Sequence, residues 1–185
     1  MWNLLRKLRH TLAGNVIAMP LLLLGACSSP DVTHYAAQQP VFDPVQFFVG
    51  KTEAWGMFQQ RSGEVVKRFQ VDIHGRQQDD QLILEEHFRY DDGSTQERIW
   101  TLQRQADGSW RGRAGDVLGE AIGHAAGNAL NWRYTLLLPV NGKTYEMQMD
   151  DWMFLIDDHT MINRTSMRKF GVEVGQVTLF FRKRS

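Results

Sequence analysis

From Gly50 onward, apolar and polar residues alternate with a period of two almost to the C-terminus. Val65, Phe69, Val71 and Ile73 interleave with Glu64, Arg68, Gln70 and Asp72. Leu82, Leu84, Phe88 and Tyr90 interleave with Glu85, His87 and Arg89, and Leu130, Trp132, Tyr134, Leu136 and Leu138 with Asn131, Arg133 and Thr135. Such rows describe strands with one buried face, because a helix would repeat its apolar positions every three or four residues. Ser62-Gly63, Asp91-Asp92-Gly93, Asp107-Gly108 and Asn141-Gly142 separate the rows and are hairpin turns by residue type. Roughly eight to ten strands joined by short turns predict an all-β fold, an antiparallel up-and-down barrel that closes or nearly closes. The Gly-rich stretch 115–128 fits the alternation poorly, and is either a kinked strand or a loop at the barrel mouth.

The turns also set register. A two-residue type I′ turn at Asn141-Gly142 places Val140 opposite Lys143, Leu138 opposite Tyr145, Leu136 opposite Met147, Tyr134 opposite Met149 and Trp132 opposite Asp151. Arg133 then faces Asp150 on the other side of the sheet, and Pro139, which lacks a donor, belongs on an outward position. A three-residue loop at Asp91-Asp92-Gly93 sets Leu82 against Leu102, Leu84 against Trp100 and Glu86 against Arg98. Counting across Asp157-Asp158 pairs Asp151 with Arg164 and Trp152 with Asn163. The apolar parity changes from Met147 and Met149 to Trp152 and Phe154, which predicts a bulge at Asp150-Asp151.

Ahead of the strands the chain has a different character. Arg6, Lys7, Arg9 and His10 form a basic head, and Val16–Leu24 is an apolar run only about half as long as the ~20 residues of a membrane span. A basic head, a short apolar run and small residues at a cut site are the parts of a secretory signal. Removing residues 1–26 from the 185 leaves 159, enough for one domain with a real core. The leader holds three of the 21 basic residues and no acids, so 18 bases face 21 acids in the remainder, a net charge of −3. That balance offers no basic face for nucleic acid. Residues 27–44, with Pro30, Pro40 and Pro44 and no repeating apolar face, read as a flexible tether, and residues 45–185 as the barrel domain.

Charges within an apolar row are the strongest chemical candidates, since a buried charge persists as a pair or meets a ligand group. Glu86 with Arg98, and Asp151 with Arg164, are therefore either closed ion pairs or head-group contacts, an Arg at such a place being suited to a carboxylate or phosphate. Trp100, Trp132, Tyr134, Met147, Met149 and Trp152 either fill a solid core or line a lipophilic pocket. His74, His87, His124 and His159 lack metal-ligand spacing, and no phosphate-binding, dinucleotide or nucleophile-elbow motif is present, so no cofactor or metal is expected.

Three stretches carry likenesses to known families. Leu24-Gly25-Ala26-Cys27 resembles the lipobox of bacterial lipoproteins. The resemblance implies that Cys27, the only cysteine, is lipidated, becomes the mature N-terminus and anchors the protein to a membrane. The alternative is an ordinary leader with an incidental cysteine. Ser28, where an Asp would retain a lipoprotein at the inner membrane, implies the periplasmic face of the outer membrane. Phe47 to Gly56, with Gly50 and Trp55, resembles the Gly-x-Trp opening strand of lipocalin-like (calycin-like) barrels, with a longer spacing. Asp151-Trp152-Met153-Phe154-Leu155, Ile162-Asn163-Arg164 and Met167-Arg168-Lys169-Phe170-Gly171 resemble an uncharacterised family of short proteobacterial lipoproteins, over about residues 47–184. It carries no activity to transfer. Three functions follow in order: a carrier of a lipophilic molecule such as a fatty acid or phospholipid, an envelope assembly factor with an unidentified protein partner, and a lipid-acting enzyme using Glu86 or His87.

Overall fold

The computed structural model describes residues 30–184. Among them ten strands follow one another: β1 (Gly50–Gln60), β2 (Val65–Gln78), β3 (Gln81–Tyr90), β4 (Thr95–Arg104), β5 (Trp110–Arg113), β6 (Val117–Ala126), β7 (Ala129–Val140), β8 (Lys143–Asp157), β9 (Thr160–Lys169) and β10 (Val172–Lys183). Each is antiparallel to the next, and β10 pairs back onto β1 from Thr52↔Lys183 to Gln60↔Gly175. The sheet closes into a ten-stranded, lipocalin-like up-and-down barrel with no exposed edge. Stretch 115–128 is mostly strand: β6 pairs with β5 and β7, and its register breaks between Leu118 and Ile122.

The turn chemistry sets two hairpins as their residues require. Asn141 and Gly142 have φ of 50° and 76°, the paired left-handed geometry of a type I′ turn, and β7 and β8 stay in one register from Val140↔Lys143 to Ala129↔Phe154. Leu136 faces Met147, Tyr134 faces Met149, Trp132 faces Asp151, and Pro139 is exposed. Gly93, at φ 82°, closes the three-residue loop that sets Glu86 opposite Arg98 and Leu84 opposite Trp100.

The β8–β9 hairpin departs from expectation by one residue. Asp151 faces Thr165, not Arg164, and Trp152 faces Arg164, not Asn163. Adjacent aspartates make a poor two-residue turn. Here Asp157 pairs with Thr160 and accepts from the His159 backbone N–H at 2.8 Å, and an irregularity between Leu155 and Asp157 shifts every pair beyond it. The bulge expected at Asp150-Asp151 is absent, because the β7–β8 ladder runs through it unbroken. Asp151 and Leu155 are therefore buried on the inner face, while Trp152 and Phe154 belong to the outer wall.

One barrel end is plugged. Helix α1 (Pro44–Phe48) is capped by Asp43, which accepts from the Val45 and Gln46 N–H groups at 2.8 and 3.0 Å. It presses Phe47 and Phe48 into the interior beside Phe42 and Phe181. Lys183 fastens it, its ammonium donating to the carbonyls of Gln46, Phe47 and Val49 at 2.6, 3.0 and 2.9 Å. Residues 30–43, within the expected tether, lie along the wall: Tyr35 meets Trp152 and Phe154 edge-on at 5.9 and 5.1 Å, and Phe42 N–H bonds Gly127 O at 2.7 Å. The turns after β1, β3, β7 and β9 surround the opposite end. Cys27 and the expected leader fall outside the described residues.

Candidate functional site

Inward-facing residues of a ten-stranded barrel cannot meet across its axis, so an interior space remains. Here it is a cavity of about 960 Å³, running from Pro44 and Phe48 at the plug to Lys67, Ser94 and Thr144 at the other end. Its wall is mostly apolar. Trp100, Trp132 and Tyr134 form an aromatic corner, with ring centroids 5.7 Å apart for Trp100–Trp132 and 5.4 Å for Trp100–Tyr134. Trp132 lies flat against β5 and β6, where Gly112 and Gly123 leave room; a Cβ at either position would overlap its ring. Leu136, Met147, Met149 and Met167 form a second apolar cluster, with Met149 and Met167 on the cavity wall.

Polar side chains belt the cavity at mid-depth. The Arg98 guanidinium grips Asp116 through Nε, 3.0 Å from both carboxylate oxygens, and through Nη2, 2.7 Å from Oδ2. Its Nη1 lies 3.8 Å from Glu86, and Phe88 lies beneath the guanidinium at 5.4 Å. Burial pushes the Glu86 carboxyl up to about 7, with Arg98 opposing and Asp116 reinforcing the shift. Asp151 is 7% exposed, and burial pushes it up to about 7 as well, against the pull of the Thr165 hydroxyl and the Arg98 charge. Burial raises the Tyr134 phenol too, with Asp151 adding to the effect. Asp151 lines the cavity, and its Oδ1 is buried with no hydrogen-bond partner. The other two orphaned atoms among the described residues, Thr52 Oγ1 and Asn128 Oδ1, do not line it.

Most of the expected site residues come together. Glu86, Arg98, Trp100, Trp132, Tyr134, Met149 and Asp151 line one cavity, and Met147 packs just behind it. Two do not. Trp152 stacks on Phe154 outside the barrel at 6.0 Å, and Arg164 is exposed, with Nε donating to Gln176 Oε1 at 3.1 Å. Trp152 is outside because the β7–β8 ladder runs through Asp150-Asp151 without a bulge, and Arg164 because of the one-residue shift in the β8–β9 hairpin, which puts Asn163 and Thr165 inside instead. Asp116 had no signal in the alternation, since it sits in the short link between β5 and β6. His87 is exposed on the outer wall with Glu97 at 3.3 Å, so it cannot act with Glu86 inside the cavity. Trp55 also faces outward, 6.1 Å from Phe180, so the likeness of the opening strand does not extend to a buried tryptophan.

Residues 21–183 match the family described as Protein of unknown function (DUF3833), and the chain belongs to that family. No curated protein matches the sequence. Among solved structures, the S-type phycobiliprotein lyase CPES from Guillardia theta superposes with a TM-score of 0.51 at 6% identity, over 74% of this chain and 89% of that one. A redesigned beta barrel, mFAP0, bound to DFHBI, superposes at 0.40 with 9% identity, over 74% and 98%. The likeness to the lyase is one of fold.

Proposed function

We propose that this DUF3833 protein is a lipid-anchored envelope protein whose barrel takes a lipophilic small molecule, such as a phospholipid tail with its head group, into the cavity. The observation that carries the reading is the cavity itself, about 960 Å³ of mostly apolar space entered from one end. That volume lies at the upper end of the ~300–1,000 Å³ of small-molecule sites, and its lining matches theirs: apolar and aromatic walls with a few convergent polar groups. A filled core, which the assembly-factor reading requires, would leave no such space. Met149, Met153 and Met167 give part of the wall the adaptability that suits a flexible chain.

The address is proposed from the leader and Cys27. The family match begins at Leu21 and so takes in the cysteine. Pro30 and Asp31 share an outer-wall groove with Leu118 and His124 of β6 and Asn131 and Thr135 of β7. Phe170, 88% exposed at the β9–β10 turn, and Val65, Val66, Val140 and Val172 give the mouth an apolar rim suited to a lipid surface. An outer-membrane location on the periplasmic face agrees with Ser28.

The test is to purify the full chain from envelopes, extract it with organic solvent and identify the extract by mass spectrometry. Recovery of one lipid class at near-equimolar ratio supports the reading. A protein that yields no lipid and admits no neutral apolar fluorophore such as N-phenyl-1-naphthylamine overturns it.

A further inference from the structure

We infer that the molecule held in this cavity carries a hydrogen-bond-donating, positively charged head group, an ammonium for instance, seated at mid-depth against Asp151. The inference rests on the proposal that the cavity binds a lipophile, and adds the chemistry of the head.

Charge among the lining residues is its first support. Glu86, Asp116 and Asp151 face inward from β3, the β5–β6 link and β8, against Arg98 from β4. Lys67, at the mouth, is held by Asp92 at 3.2 Å and lies 4.4 Å over the Tyr90 ring. Arg98 was the candidate receiver of an acidic head, but Asp116 occupies its Nε and Nη2 in the two-point geometry a ligand carboxylate would need. An anion entering here would have to displace Asp116 and then lie among Glu86 and Asp151. Electrostatics of the belt favours a cation.

The second support is Asp151 Oδ1. A buried carboxylate oxygen with no donor loses its hydration and gains nothing in return, a penalty of about 1–3 kcal/mol. Such an atom persists in a folded protein where something else supplies the donor. Asp151 cannot turn to Arg164, which the β8–β9 register sends to the outer wall. Two hydroxyls approach this carboxyl, those of Thr165 and Tyr134, and neither makes a hydrogen bond to Oδ1; the Thr165 hydroxyl donates to Asn163 Oδ1 at 3.0 Å. Trp132, opposite it on β7, brings an apolar ring. An ammonium rising from the cavity meets the Asp151 carboxylate there, and a turn of that carboxylate brings its buried oxygen to the newcomer without breaking a side-chain hydrogen bond.

The test uses the purified full chain, stripped of lipid on a hydrophobic resin and loaded with N-phenyl-1-naphthylamine. Dodecylamine, dodecanol and dodecanoate share one tail length and compete for the fluorophore at pH 7.5. Dodecylamine is expected to displace it at a concentration lower than dodecanoate by about tenfold or more, with dodecanol between them. Asp151→Asn, which keeps the shape, should cut that preference to below about threefold. Dodecanoate competing as well as dodecylamine overturns the inference, and so does a preference that survives Asp151→Asn. The wild-type comparison decides the matter even if the variant fails to fold. If the fluorophore never enters, the ligand-binding proposal itself fails, and that outcome is told apart from the others before any competitor is added.

Discussion

Arg98 and Asp116 form a two-point ion pair inside the barrel, with the Arg98 guanidinium Nη2 2.7 Å from Asp116 Oδ2 and Nε 3.0 Å from both oxygens. The pair joins β4 to the link between β5 and β6, where only a few ladder bonds hold the sheet together. Glu86 sits against the same guanidinium at 3.8 Å, so one cation compensates two carboxylates.

Arg98→Met should therefore destabilise the protein strongly. It leaves Glu86 and Asp116 facing each other in a poorly hydrated interior, and breaking such a pair costs about 3–5 kcal/mol. Urea unfolding followed by tryptophan fluorescence measures it. The double variant Arg98→Met with Asp116→Asn should recover part of the loss, because it removes one of the stranded charges.

Asp151→Asn should stabilise the ligand-free protein near pH 8 and do little near pH 4. The Asp151 carboxyl titrates at about 7 when folded, against its ordinary 3.8. Between these values the folded state holds a proton that the unfolded chain has released, so raising the pH favours unfolding, by up to about 1.4 kcal/mol per pH unit. The penalty is absent below about pH 4 and complete above about pH 7. Glu86, also at about 7 against 4.5, contributes in the same direction. Melting temperatures of wild type and variant across this window should diverge as pH rises. Parallel curves would contradict the buried environment of Asp151.

Gly123→Ala should lower stability by about 1–3 kcal/mol, because the added methyl group overlaps the Trp132 ring and forces it off β6. The displaced ring moves into the cavity, so binding of N-phenyl-1-naphthylamine should weaken in the same variant. Ala125→Ser, two residues along at an exposed position, is the control that should change neither.

Phe170→Asp should leave folding intact, since Phe170 is 88% exposed. If the mouth meets lipid, the change removes an apolar side chain worth about 1.5–3 kcal/mol on burial, or roughly ten- to a hundredfold in partitioning onto phospholipid vesicles. Vesicle flotation measures it. Unchanged flotation would place the apolar rim away from the lipid surface.

The alternation of residues determined the all-β class by itself, because period two admits no other regular structure, and the short turns between the rows made the sheet an antiparallel meander. Where a turn is chemically unambiguous, the sequence also determined which side chains meet. Asn141-Gly142 and Gly93 demand left-handed backbone, and from them Glu86–Arg98, Leu84–Trp100 and Trp132–Asp151 follow by counting. At Asp157-Asp158 the turn is not specified locally, and an irregularity that the residues do not announce moved Arg164 outside and Thr165 in, while the unbroken β7–β8 ladder set Trp152 outside. Asp116 as the partner of Arg98, and Gly112 and Gly123 as the bed of Trp132, were decided only by tertiary structure, because these contacts bridge segments whose spacing obeys no fixed period. The cavity belongs there too. Strand count and closure set the volume a barrel encloses, and no side chain records in its own neighbourhood how far away the opposite wall will be.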